Sequence, residues 1–202
     1  MRGEGEFVTI RKGEPWGAPV SRPTDLVVAG SDAELAQLVA HDASGAYGLG
    51  GGDLHRSLGT PSPRETLQRL PMDAMHLRLD EVEWLAVAHV VARRSWWRGP
   101  LLGVLNCEYI GEWNVAPRAH PNDGRFDVVE VAAGMSFRQR LQARRRLPLG
   151  THVPHPRIAV RTALSAAWSF DEPRDVFVDG VRRGRATRLE IAISPDHFAI
   201  HM

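Results

Sequence analysis

Three groups of residues have the types and spacing to do chemistry: a glycine run that ends in aspartate, two Asp-Gly pairs, and a cluster of arginines. The run is Gly50-Gly51-Gly52-Asp53. Glycines let a backbone turn sharply and bring its N–H groups against phosphate oxygens. The following Leu54-His55-Arg56-Ser57-Leu58 could open a helix whose N-terminus favours an anion. A flexible turn closing a strand is the plainer reading of the same residues. The run is neither a Walker A loop nor a dinucleotide fingerprint. No Gly-Lys-Ser/Thr follows it, and Asp53 breaks the dinucleotide spacing.

The Asp-Gly pairs are Asp123-Gly124 and Asp179-Gly180. Such a pair is first of all a hairpin signal. A carboxylate held at a strand end is also well placed to act as a general base. Arg138, Arg140, Arg144, Arg145 and Arg146, with Arg157 and Arg161 beyond, spread around a helix and the chain after it. They read as a solvated face, with lipid headgroups or acidic partners as the functional alternative. His152 and His155 lie in Thr-His-Val-Pro-His-Pro, where the prolines exclude a helical two-histidine face and nothing nearby completes a zinc site. Cys107 is the single cysteine, so it forms no intrachain disulfide and reads as a small core residue.

The elements that must position these residues read as follows. Glu6–Ile10 is a short strand, and Gly13–Thr24, with three prolines, a loop. Leu26–Ala29 is a buried-type strand. Ser31 with Glu34 forms a capping box for a helix whose apolar face is Leu35, Leu38 and Val39. Tyr47–Leu49 is a second strand that runs into the glycines, which makes one α/β unit. Pro61, Pro63 and Pro71 punctuate a boundary, so the chain divides into residues 1–70 and 71–202. Beyond it, strands are expected at 76–79, 84–92, 101–106, 126–131, 158–162, 166–170, 176–178, 189–193 and 198–201. The strand at 176–178 and that at 189–193 are expected to be joined by an arginine-rich loop. Ser136–Leu147 is an amphipathic helix with Phe137 and Leu141 as its apolar pair. Short strands at about ten-residue spacing suggest an antiparallel β-sandwich with one main helix, preceded by a small, reduced α/β domain.

Composition narrows the field. With 202 residues, 43% of them apolar, the chain has enough material for a packed core. Its net charge of +1 provides no global field for an anionic partner. Lys12 is the only lysine, so the remaining basic residues are arginines. The arginine cluster lacks the interleaved aromatics of single-strand readers, and no nucleic-acid recognition is expected. No Gly-x-Ser-x-Gly supports a hydrolase triad. The first residues lack a signal-peptide apolar run, and the longest apolar stretch, Leu85–Ala92, is too short to span a bilayer. A cytoplasmic location is the expectation.

The C-terminal half resembles the diacylglycerol kinases, sphingosine kinases and bacterial lipid kinases. The resemblance is carried by Leu105-Asn106, by Asn114 to Ala119, by Asn122-Asp123-Gly124-Arg125-Phe126-Asp127, by Gly150-Thr151-His152, and by Val176 to Gly180 followed by Leu189 to Asp196. It covers roughly residues 100 to 202. The resemblance implies a cleft between an ATP-binding α/β domain and a β-sandwich. It implies that Gly50, Gly51, Gly52 and Asp53 hold the ATP phosphates and that Asp179 takes the proton of a lipid hydroxyl. It also implies magnesium on the phosphates, and a structural magnesium on the Asp123 carboxylate with backbone carbonyls near His120 and Arg125. Three departures stand out. Leu54 and His55 occupy the places of Gly and Thr, Val181 follows Gly180 where a glutamate is usual, and the first domain is reduced to about seventy residues.

Three functions compete. The first is ATP-dependent phosphorylation of a lipid or other small hydroxyl compound, with peripheral membrane contact. The second, supported by the departures, is an inactive kinase relative that binds a lipid, a nucleotide or a protein. The third is a subunit that joins a homo-oligomer, or pairs with a separate chain supplying the missing ATP half.

Overall fold

The structure, a computed structural model, describes residues 16–60 and 62–202. The strand expected at Glu6–Ile10 lies outside them. In chain order the elements are β1 (Ala18–Ser21), β2 (Val27–Ala29), α1 (Asp32–His41), β3 (Tyr47–Leu49), α2 (Asp53–Leu58) and β4 (Thr66–Leu79). Then come β5 (Val82–Ala86), β6 (His89–Arg93), β7 (Leu101–Leu105), β8 (Tyr109–Ile110), β9 (Trp113–Asn114) and β10 (Phe126–Val131). The chain ends with α3 (Phe137–Arg146), β11 (Ile158–Ala163), β12 (Ser165–Val178) and β13 (Val181–His201).

A mostly antiparallel sheet in the order β1-β4-β13-β12-β6-β7-β10-β11 forms the β-sandwich that the strand spacing suggests. The parallel pair β2–β3 joins it at the end of β13, through Tyr47 opposite Ile200. The long β4–β13 ladder serves two cores. Side chains alternate across a strand. Leu70, Met72 and Ala74 therefore face one side and Met75, Leu77 and Leu79 the other. The first three, with Phe198 and Ile200, pack against Leu35 and Val39 of α1 and Leu54 of α2. The second three, with Leu189 and Ile191, pack against Val90, Val104, Phe126 and Val176 inside the sandwich. The division expected at residue 70 lies within β4, which runs through Pro71. A residue's N and O point to the same side of a strand, and the Pro71 carbonyl accepts from Trp16 Nε1. The missing donor therefore faces away from β13.

Several elements differ from the expectations. Ala18–Ser21, inside the expected loop, pairs with β4 as an edge strand, where Pro19 is tolerated. The single strand expected over 84–92 breaks at Val87–Ala88, because their amides turn to the Asp179 carboxylate. The strands expected at 166–170 and 176–178 are one, β12, and those at 189–193 and 198–201 are one, β13. Both carry register shifts where the gap was expected. The arginine-rich loop is absent: Asp179 and Gly180, at φ of 47° and 79°, close a two-residue turn. Arg182, Arg183, Arg185 and Arg188 sit on β13 itself. In the capping box of α1, Ser31 Oγ accepts from the Glu34 amide as expected, but the Glu34 carboxylate reaches the Gly30 amide. On α3, Phe137 is 58% exposed and the buried residue is Arg140. Helix α3 lies over an aromatic rim, and Phe137 stacks on Trp97 there instead of entering a core.

Candidate functional site

The glycine run ends in α2, and its geometry explains its composition. Gly52 has φ of 97°, in the region that favours glycine, and any side chain there would strike the Asp32 carboxylate. A side chain at Gly51 would strike the Gly30 carbonyl. The close approach is thus to the protein's own groups. Asp32, at the start of α1, accepts from the amide of Asp53 at 2.5 Å and from that of Leu54 at 3.1 Å. These are the first two amides of α2, the donors that a phosphate would otherwise meet. Burial pushes the Asp32 carboxyl up to about 7, opposed by these two amides and assisted by the Asp179 and Asp53 charges.

Asp53 and Asp179 meet at His89. Asp53 Oδ1 accepts from the Gly111 amide at 2.7 Å, and its Oδ2 lies 3.2 Å from His89 Nδ1. That pair is close but out of line for a hydrogen bond. Asp179 is buried, and its carboxylate accepts the amides of Val87, Ala88 and His89 at 3.0, 2.9 and 3.0 Å. Its own amide donates to the His89 carbonyl at 2.9 Å. Burial raises the Asp179 carboxyl, and His89 and the three amides oppose that rise. Asn106 secures the same crossing by donating to the Asp73 and Val87 carbonyls at 2.9 and 3.0 Å. Cys107 is fully buried beside it in the core, and burial raises its thiol.

The residues of the second aspartate turn lie elsewhere. Asp123 Oδ1 accepts the Arg125 amide at 3.2 Å, and Arg125 Nε stands 3.7 Å from Oδ2. His120 Nδ1 accepts the Asn122 amide, and its ring packs on Trp16. The neighbouring Asp73 organises the turn. It accepts the amides of Gly124 at 2.7 Å and Asp196 at 2.9 Å, and its carboxyl is pushed up to about 6 by burial. Among the described residues no three His, Cys, Asp or Glu side chains converge as a metal site.

A cavity of about 260 Å³ lies between α3 and the outer face of the sheet. Its wall is apolar, from Val91, Leu101, Val129 and Val131, with Trp96, Trp97 and Trp113 at one side. Trp96 and Trp113 meet edge-on at 5.4 Å, and the Arg144 guanidinium lies over Trp97 and Trp113. Ile110 lines the cavity, and the next residue, Gly111, holds Asp53. The cavity and the carboxylate cluster are therefore neighbours. Sequence reasoning missed Asp32, Asp73 and His89, whose importance comes from burial and distant partners and carries no local motif.

Residues 73–201 match the YegS C-terminal NAD kinase beta sandwich-like domain. The match spans more than half of the chain, which belongs to that family. The fold is diacylglycerol-kinase-like. A candidate diacylglycerol kinase from Bacillus anthracis str. Sterne superposes with a TM-score of 0.66 at 15% identity, over 87% of this chain and 77% of that one. A diacylglycerol kinase structure from the same organism gives 0.62 at 18% identity, over 87% and 75%. Likeness at this identity establishes the fold alone. None of the curated proteins matches the chain in sequence. No described helix is long and apolar enough to cross a membrane.

Proposed function

We propose that this chain is a lipid-kinase relative that binds a hydroxyl-bearing amphiphile in the cavity under α3 and does not phosphorylate it from ATP. One observation carries the reading: the Asp32 carboxylate already takes the amides of Asp53 and Leu54. A nucleotide phosphate at that helix end would find both donors already taken, and above about pH 7, where Asp32 carries its charge, it would meet a second anion as well. The residues present therefore fit ATP poorly at Gly50–Asp53. They fit magnesium poorly at Asp123 as well, because both carboxylate oxygens face Arg125. The cavity suits a hydrocarbon segment, and its volume falls just below the roughly 300–1,000 Å³ of small-molecule sites.

A second reading keeps phosphoryl transfer, and the meeting of Asp53 and Asp179 at His89 favours it. In that reading Asp53 is the carboxylate a substrate can reach, because the oxygens of Asp179 are buried against three amides. One assay separates the two readings. The purified chain is incubated with labelled ATP, magnesium and diacylglycerol in mixed micelles. The proposal expects no labelled lipid, together with a change in tryptophan fluorescence as the lipid is titrated. Labelled lipid that disappears in Asp53→Asn would establish the kinase reading, and an unchanged fluorescence would remove the binding one.

A further inference from the structure

We infer that the cavity under α3 selects amphiphiles with a hydroxyl or carbonyl group part-way along or at the end of an apolar chain, and that His152 is the residue that recognises it. The inference rests on the proposed binding role of the cavity and adds the chemistry it reads.

His152 lies in the segment after α3, lines the cavity and is only 3% exposed. Neither of its ring nitrogens makes a well-formed hydrogen bond among the described residues, and the backbone acceptor near the ring is the Val115 carbonyl. The Val115 carbonyl is close enough to favour the charged ring slightly, but burial outweighs it and holds the imidazole below its ordinary pKa. A neutral imidazole has one donor and one acceptor. With at most the loose Val115 contact to satisfy its donor, the ring keeps at least one nitrogen buried in an apolar wall without a hydrogen bond, which carries a desolvation cost. Such a residue is hard to explain by packing, since a leucine would fill the space at no polar cost.

The two arginines of the wall are occupied elsewhere. The Arg140 guanidinium is buried and donates to the carbonyls of Met135 and Trp96 at 3.2 Å each, and also to those of Gly99 and Ala132. Its donors hold the 96–99 segment and the start of α3 together. The exposed Arg144 covers Trp97 and Trp113 from outside. His152 is then the buried polar side chain of the wall that remains open to a ligand. Because the ring is neutral, it suits an uncharged group that can accept and donate, such as a hydroxyl, or one that accepts, such as an ester carbonyl. A carboxylate would gain only one hydrogen bond there and lose its hydration.

The test compares decanol with decane, each delivered from cyclodextrin, with cavity tryptophan fluorescence as the readout. Wild type is set against His152→Leu and His152→Gln. His152→Leu is expected to weaken decanol binding roughly three- to tenfold, the worth of one neutral hydrogen bond, and to leave decane binding unchanged. His152→Gln, which can still donate and accept, is expected to recover part of the loss. Equal effects of His152→Leu on both ligands, or no effect on either, would overturn the inference while leaving an apolar binding cavity in place. If neither ligand perturbs the wild-type tryptophans, the inference fails along with the binding role itself.

Discussion

Asp32 shows how a buried carboxyl ties stability to pH. Its carboxyl is held at about 7 against an ordinary 3.8, so the folded chain binds this proton more tightly than the unfolded chain. Stability is therefore highest below pH 4 for this group and falls as pH rises toward about 7. Asp73 and Asp127, both pushed up to about 6, act in the same direction. His120 and His152, with lowered values, act in the opposite one. Asp32→Asn keeps one acceptor for the α2 amides and removes the titration. Chemical denaturation of this variant at a series of pH values is expected to give a flatter profile than wild type, with a difference of up to about 4 kcal/mol across the window. Parallel profiles would show that Asp32 does not titrate there. Asp179 acts differently, as a clamp. Asp179→Ala strands three amides and is expected to lower stability by roughly 3 kcal/mol or more in urea unfolding. A loss below about 1 kcal/mol would remove the clamp from the account.

The elements that could be read from sequence are those with a local signature. Val27–Ala29 and Tyr47–Leu49 are short apolar runs, although Val27 and Val28 are exposed where a buried strand was expected, because β2 is an edge strand paired only with β3; α1 has Ser31 as its cap, and Phe126–Val131 is β-branched and bounded by turns. The break at Val87–Ala88 had no such signature, because the run from Trp84 to Ala92 is apolar except for His89 and is split by a carboxylate about ninety positions later. Arg140 is a similar case. Periodicity favours Phe137 and Leu141 as the inner face of α3, yet an arginine is buried because four backbone carbonyls surround it. Of the candidate site, the nearness of Asp53 and Asp179 could be anticipated by analogy, but the self-capping by Asp32 could not. Arg140→Met keeps an unbranched apolar stem and removes the donors. It is expected to loosen the 96–99 segment, with a red shift of tryptophan emission and a lower melting temperature. An unchanged spectrum would mean that packing alone holds that segment.

At the scale of the whole molecule, the exposed parts of α3 and the turn after it combine positive charge with apolar side chains. Arg138, Arg144, Arg145 and Arg146 project from α3, with Phe137 and Leu149 at 58% and 79% exposure on either end of it. This is the composition of a surface that meets anionic lipid, where each basic side chain contributes about 1 kcal/mol. Cosedimentation is expected with vesicles containing phosphatidylserine and not with phosphatidylcholine alone. Binding should weaken in high salt and fall at least tenfold in Arg144→Glu/Arg145→Glu. Equal binding to both vesicle types would leave the face as ordinary solvated surface.

The shared β4–β13 ladder has a mechanical consequence. Enzymes that trap a nucleotide between two lobes swing those lobes about a short connecting segment, and here the connection is a double strand braced along its length. Except at the break between Ser194 and Phe198, any such swing would have to tear backbone hydrogen bonds from Arg69–His201 to Leu79–Leu189. The two cores hang on opposite faces of one pair of strands, so freedom of one against the other is concentrated at that single interruption.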